Sequence, residues 1–164
     1  QEVGIDIDIP EPHDTLEANA TEKSSTIYKL TNEAVFSEDT GLEVASLSGA
    51  PGVKSARYAG EGRNMQDNID KLLDELKDKP SRTAQFRTVV SLIIDGKEYQ
   101  FEGICKGHIT HEMDGSNGFG YDPVFIPEGS NATFANMDIA EKNKFSHRKK
   151  AVQQLIDFLN YFQA

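Results

Sequence analysis

The chain has 164 residues, 17 of them basic and 27 acidic, giving a formal net charge of −10, and 37% of its residues are hydrophobic. That length suits one domain, over residues 1–164, with a real core. The acidic balance argues against general binding of nucleic acid or an anionic membrane surface, but not against a small polyanion wherever cations cluster.

Residues 1–13 are acidic, carry two prolines and read as an irregular connection. Asp14-Thr15-Leu16-Glu17 reads as a helix start: Asp14 can cap and Glu17 can reach back, an aspartate variant of the capping box. This helix is expected to run to about Leu30, with Leu16, Ala20, Ile27 and Leu30 as apolar positions. Ala34 to Ser37 reads as a short buried strand, and Gly49 to Gly62 as a loop. Met65, Ile69, Leu72, Leu73 and Leu76 form one face of an amphipathic helix over 64–78. Thr83–Ile94 and Lys97–Ile104 flank Asp95-Gly96, which predicts a hairpin with a type I′ turn. A strand follows around Val124-Phe125-Ile126. Ser146 can cap a last helix whose apolar face is Val152, Leu155, Ile156 and Leu159. This order predicts an α/β or α+β domain with a mostly mixed sheet.

Cys105 is the only cysteine, so no internal disulfide forms, and its apolar surroundings make it a buried thiol. There is no apolar run of about eighteen residues to mark a membrane span. No signal peptide is visible, and a cytoplasmic location is the default expectation. The chain opens at Gln1 rather than methionine, and its first residues read like the middle of a protein.

Two clusters carry the chemistry. Glu38 and Asp39 follow a short strand and precede Thr40-Gly41. Carboxylates at a strand end point into the crevice where α/β proteins bind ligands. A pair of them suits a hard divalent cation, Mg²⁺ near phosphates, or lets one polarise an attacking water. The plainer reading is an Asp-Thr-Gly turn. The same triplet occurs in aspartic protease halves, but no second copy is present. Glu17 and Lys23 share a helix, where Glu17 is either a cap or a metal ligand and Lys23 either a solvated lysine or a phosphate contact. The second cluster is Gly118-Phe119-Gly120-Tyr121-Asp122-Pro123, followed by Lys142 and by Ser146-His147-Arg148. An aromatic ring can stack on a base, a carboxylate can accept from ring N–H groups, and a guanidinium fork can bind carbonyl or phosphate oxygens. Cations at a helix start oppose its dipole, so Arg148 and Lys149 call for an anionic partner. His108 and His111 have no further ligands at zinc-site spacing.

These residues resemble a family. The blocks Asp14–Ala20, Glu38–Val44, Gly49–Val53, Ser55–Gly60, Phe101–Gly103, Gly118–Phe125, Thr133–Ala135, Glu141–Asn143 and Ser146–Arg148 match, in order, the inosine triphosphate pyrophosphatases, hydrolases of non-standard purine nucleoside triphosphates. The bacterial type, which acts on dITP and XTP, is the most similar. The resemblance implies an elongated α/β protein with a long mixed sheet and two lobes around a cleft that holds the active site. It implies cleavage of ITP, dITP or XTP between the α- and β-phosphates, with Mg²⁺ as cofactor and a homodimer as assembly. It makes Asp39 the general base and a metal ligand, with Glu17 and Glu38 as further metal-site carboxylates. Thr40 becomes a substrate contact, and Lys23 a phosphate contact. Phe119, Gly120, Tyr121 and Asp122 become the base-side wall, and Lys142, His147 and Arg148 complete nucleotide binding. Two departures stand out. Glu38-Asp39-Thr40-Gly41 replaces the usual Asp-Asp-Ser-Gly, keeping charge and hydroxyl. The family's opening strand and its Thr/Ser-x-Asn-x-x-Lys phosphate loop, roughly thirty residues, have no match here. A chain lacking them has an alternative reading as a catalytically weak nucleotide-binding protein.

Overall fold

The structure is a computed structural model and describes residues 9–163. Residues 9–12 carry no regular structure, and the rest of the irregular connection read over 1–13 begins outside the described residues. The first helix, α1 (Leu16–Thr31), starts one residue later than the capping box predicts. Thr15 is the cap, its hydroxyl accepting from the Ala18 N–H at 3.1 Å, so Glu17 lies in the first turn and is free to bind elsewhere. Asn32, in the left-handed conformation, ends the helix.

The first strand differs more. β1 (Val35–Val44) continues straight through Asp39-Thr40-Gly41 rather than ending at Ser37. Asp-Thr-Gly looks like a turn, but it is paired along its length with β3 (Thr83–Ile94), Asp39 opposite Val89 and Gly41 opposite Arg87. Gly41 serves a close approach: a Cβ there would stand 2.5 Å from the Gly52 carbonyl oxygen. That carbonyl belongs to the two-residue strand β2 (Pro51–Gly52), which pairs with β1 only at Leu42 and Glu43. Among the described residues the β1 edge at Glu38–Thr40 therefore carries no neighbouring strand.

The hairpin forms as expected. Asp95 and Gly96 both have positive φ, 52° and 78°, as a type I′ turn requires. Its second strand, β4 (Lys97–Ile109), runs five residues past the expected end and pairs with β5 (Phe125–Pro127). The sheet order is β2-β1-β3-β4-β5. Every pairing among the described strands is antiparallel, rather than mixed, although the connection from β2 to β3 passes over β1.

Each face of the sheet has its own helices, so the middle of β3 is buried on both sides. Val89 packs with Leu16 and Ala20 of α1. Val90 and Leu92 pack with Ala151 and Leu155 of α4 (His147–Gln163). On that same face the largest core cluster joins Leu42, Val44 and Phe86 to Ile69, Leu72 and Leu76 of α2 (Met65–Leu76), and to Tyr121, Phe125 and Phe134. Burying one such side chain contributes about 1.5–3 kcal/mol. A short helix α3 (Ile139–Asn143), capped by Asp138, precedes α4 and was not expected from the sequence. Between α2 and the start of α4 the face is left uncovered over Thr40, Leu42 and Phe86, and the cleft lies there.

Candidate active site

Two cavities meet in this cleft. The larger, about 720 Å³, has an apolar lining with polar groups at few points. Phe86 and Leu42 lie at its floor, Phe119, Gly120, Tyr121 and Asp122 on one wall, and His147 and Arg148 on the other. The smaller, about 260 Å³, is lined by Glu11, Lys23, Glu38, Asp39, Arg57, Arg63 and Arg148, besides small residues. Thr40, Ala56, Arg63 and Arg148 border both. A ligand with an apolar planar end and a polyanionic end is the shape this pair accommodates.

In the larger cavity the Phe-Gly-Tyr-Asp segment is a structured wall. Asp122 is buried, accepts from the Phe119 N–H at 3.1 Å and holds the Lys142 ammonium at 2.6 Å. Lys142 also lies 4.8 Å above the Phe119 ring, a cation–π contact that orients both groups. Phe119 itself is 63% exposed, a large aromatic face open to the cavity mouth. Tyr121, expected in the base-side wall, lines the cavity from a position in the core. It is buried in the core, and its hydroxyl donates to the Ser55 carbonyl oxygen at 2.6 Å. It thereby ties the wall to the Ser55–Arg57 turn, whose Ser55 hydroxyl donates to the Gly52 carbonyl oxygen and accepts from the Leu42 N–H of β1.

His147 stacks on Phe86, ring centroids 4.9 Å apart and 14° from parallel. Its Nδ1 is buried with no hydrogen-bond partner. Burial, reinforced by Arg148, Lys142 and Lys150, pushes its pKa down to about 3. The ring is therefore a neutral imidazole with one donor and one acceptor, rather than a pair of donors. Arg148 binds Glu38, Nε to Oε1, at 2.7 Å. The anion that its position at a helix start calls for is thus supplied by β1.

The smaller pocket corrects the picture of paired carboxylates. Glu38 and Asp39 are consecutive in a strand and so project to opposite faces. Glu38 meets Arg148 of α4, while Asp39 meets Lys23 of α1, 3.6 Å between Oδ1 and Nζ. Both reach the pocket only because the β1 edge is open there. Thr40 shares the Glu38 face, its hydroxyl 2.8 Å from that of Thr88, which is fully buried. Glu17 lies elsewhere. Its carboxylate binds Arg87 at 2.5 Å, in a cluster with Glu43 and Glu102, because one helical turn and a half separates it from Lys23. The carboxylate beside Lys23 is instead Glu11, at 3.2 Å, from the irregular segment before α1. No periodicity or cap marks Glu11. The signal was its place in Pro10-Glu11-Pro12, a stiff extended stretch leading into α1. Asn19 fixes that segment, accepting from the His13 N–H at 2.9 Å and donating to the His13 carbonyl oxygen at 3.2 Å.

Asp39 is nearly buried. Burial raises its pKa to about 6, with Glu11 adding to the rise and Lys23, Asn19 and the Thr40 N–H opposing it. Its Oδ2 has no hydrogen-bond partner among the described residues. An orphaned carboxylate oxygen, with Glu11 and Glu38 lining the same pocket, offers oxygen donors of the kind a hard divalent cation takes. Lys23, which also donates to the Glu38 carbonyl oxygen, lies among these oxygens. Among the described residues no three His, Cys, Asp or Glu side chains converge closely enough to enclose an ion by themselves.

Fold and cleft together define an α/β protein with a nucleotide-sized cavity opening onto a carboxylate-bearing charged pocket. The chain belongs to the Ham1 family, whose model matches residues 1–158. It is 52% identical over 152 residues to a dITP/XTP pyrophosphatase of Flavobacterium johnsoniae, covering 93% of this chain and 79% of that protein. It is also 52% identical over 159 residues to the dITP/XTP pyrophosphatase of Porphyromonas gingivalis, covering 96% and 82%. The solved structure of the Staphylococcus aureus Ham1 protein superimposes with a TM-score of 0.91 at 41% identity, covering 94% of this chain and 81% of that one.

Proposed function

We propose that this chain hydrolyses non-standard purine nucleoside triphosphates, dITP and XTP among them, to the nucleoside monophosphate and pyrophosphate, a reaction that clears such nucleotides from the precursor pool. The observation that carries the reading is the junction at Thr40. There an apolar cavity of nucleoside size opens onto the pocket that holds Asp39. A base seated between Phe119 and His147 places its phosphate chain across the β1 edge, toward Asp39, Lys23 and Arg148.

In this reading Asp39 accepts a proton from the attacking water. The water oxygen bonds to the α-phosphorus, the bond from that phosphorus to the bridging oxygen breaks, and pyrophosphate leaves. A carboxylate with a pKa near 6 is a better base than an ordinary one and is still ionised at neutral pH. Lys23 and Arg148 offset phosphate charge. Asp122, held by Phe119 and Lys142, is a fixed acceptor for a ring N–H. The neutral His147 offers a donor to the 6-oxo group. We take the metal to be Mg²⁺, held by Asp39 with Glu11 and Glu38 beside it, where it would neutralise phosphate oxygens. The family resemblance supports a homodimer in the cytoplasm.

The test measures pyrophosphate and orthophosphate separately with ITP, dITP, XTP, ATP and GTP. Pyrophosphate release with the first three and little with the last two is the expected result. Orthophosphate as the only product would replace this reading with γ-phosphate removal. Tight nucleotide binding with no turnover would favour the non-catalytic nucleotide-binding alternative.

A further inference from the structure

We infer that Arg63 is a phosphate-chain clamp, a substrate-binding residue on the far side of the cleft from α4. This deepens the triphosphate reading and rests on it. Four residues border both cavities, and two of them, Arg63 and Arg148, are cations. They differ in how their charge is spent. Arg148 is neutralised by Glu38 at 2.7 Å. The other cations of the smaller pocket are paired too: Lys23 with Glu11 and Asp39, and Arg57 with Glu61 at 4.0 Å. Among the described residues Arg63 has no carboxylate within 4.0 Å. A polyanion entering the pocket thus meets one positive charge that is not already compensated. Guanidinium geometry suits two phosphate oxygens at once.

The backbone agrees with a functional reason for this residue. Arg63 holds a φ of 54°, a left-handed conformation that a side chain adopts at a cost in strain. It closes a turn from Gly60, whose carbonyl oxygen accepts the Arg63 N–H at 3.2 Å. The turn has little packed against it: a Cβ at Gly60 or Gly62 would find nothing within 4 Å. Immediately after it, Asn64 caps α2 by accepting from the Asp67 N–H at 2.9 Å, so the turn is anchored at one end by a helix. The arginine is thus carried on a short turn just before α2, where it lines both cavities at their junction. Because Arg63 also lines the smaller pocket beside Lys23 and Asp39, its reach extends past the junction to the β- and γ-phosphates, the part of the substrate that leaves.

Arg63→Gly is the discriminating variant. It removes the guanidinium while suiting the left-handed backbone better than arginine does, so a loss of folding cannot account for its phenotype. Arg63→Lys keeps the charge. The expected result is a rise of at least about tenfold in KM for ITP in Arg63→Gly, with partial recovery in Arg63→Lys. Affinity for inorganic pyrophosphate should weaken by a similar factor, while affinity for inosine monophosphate changes less than about threefold. Unchanged KM and unchanged pyrophosphate affinity would overturn the inference. So would an equal loss for inosine monophosphate, which would place Arg63 in base or α-phosphate recognition. Pyrophosphate binding by calorimetry reads the clamp without turnover. An unmodified protein that binds pyrophosphate through Arg63 but releases none from ITP would overturn the catalytic reading while sustaining the clamp.

Discussion

Lys23 and Asp39 face each other across the open edge of β1, 3.6 Å apart, and this contact decides how the site behaves without substrate. The lysine holds part of the Asp39 charge, yet burial still raises the pKa of the carboxyl to about 6. The protein therefore keeps a poorly solvated carboxylate at neutral pH, a cost to stability that the proposed general-base role would account for.

Asp39→Asn should separate the two effects. Turnover should fall by about 10²–10⁴, the loss expected when a general base is removed. Nucleotide affinity should stay within about tenfold, because the base cavity is untouched. Thermal stability above pH 7 should not fall, since a desolvated charge is removed. Initial rates, equilibrium binding and melting curves on one preparation check all three, and near-normal turnover would take Asp39 out of the mechanism.

The β3–β4 hairpin is legible from Asp95-Gly96 between two extended runs and the helices α1, α2 and α4 from period-3.6 patterns and caps, whereas the sheet order, β2 and the full length of β1 are not. The site was legible in its residues more than in its geometry. Asp-Thr-Gly carries the chemistry of a turn, and only pairing with Val89, Thr88 and Arg87 makes it strand, which sends Glu38 and Asp39 to opposite faces. Glu17 has the right chemistry on the right helix, but Arg87, seventy positions away, claims its carboxylate. Glu11 carries no periodic signal, because an irregular segment has no period to read. The contacts themselves, Glu17 with Arg87 and Glu11 with Lys23, join positions too far apart for a local pattern to announce them.

Chelation should abolish turnover. Asp39 Oδ2 is buried and unpartnered, so phosphate oxygens brought beside it would meet a carboxylate oxygen that no donor engages, and a divalent cation is what would bridge the two. Excess EDTA should reduce pyrophosphate release to background, and Mg²⁺ added beyond the chelator should restore it. Full activity in EDTA would remove the metal from the proposal. Glu11→Gln should raise the Mg²⁺ concentration needed for half-maximal activity, whereas Glu17→Gln should leave it unchanged.

His147 makes two predictions with one cause. Its pKa is pushed down to about 3, so it stays neutral across the working range. The preference for ITP over ATP should therefore be flat between about pH 6 and 8 and should shrink at least about tenfold in His147→Leu, read as a ratio of kcat/KM. The stability consequence has a definite sign. Below its ordinary value of 6.5 the unfolded imidazole takes a proton that the folded one refuses, so stability falls as pH drops from about 6.5 toward 3. Asp39 works the other way: its raised pKa favours the folded state at low pH, and that contribution is lost as pH rises from about 4 to 6. In Asp39→Asn the opposing trend is gone, so the acid side of the stability profile should be steeper than in the unmodified protein.

Gly103→Ala tests whether the site depends on how closely α4 lies on the sheet. A Cβ at Gly103 would stand 1.9 Å from the His147 carbonyl oxygen and 2.7 Å from the Ala151 N–H nitrogen, both backbone atoms of the first turns of α4. Neither can rotate away as a side chain would, so the helix start must lift from β4. Overpacking of this kind costs about 1–3 kcal/mol, which lowers Tm by several degrees in a domain of this size. The functional loss should exceed what stability explains, because the displaced turns carry His147 into the larger cavity and Arg148 into both. A displacement near 1 Å can cost about 10²-fold in rate. The expected outcome is a folded protein, by circular dichroism and gel filtration at 20 °C, with kcat/KM for ITP reduced at least about thirtyfold. It should also show a weakened preference over ATP. Normal kinetics with a lowered Tm would show that α4 can shift without disturbing the base cavity, and that His147 and Arg148 are not held to their task by this contact.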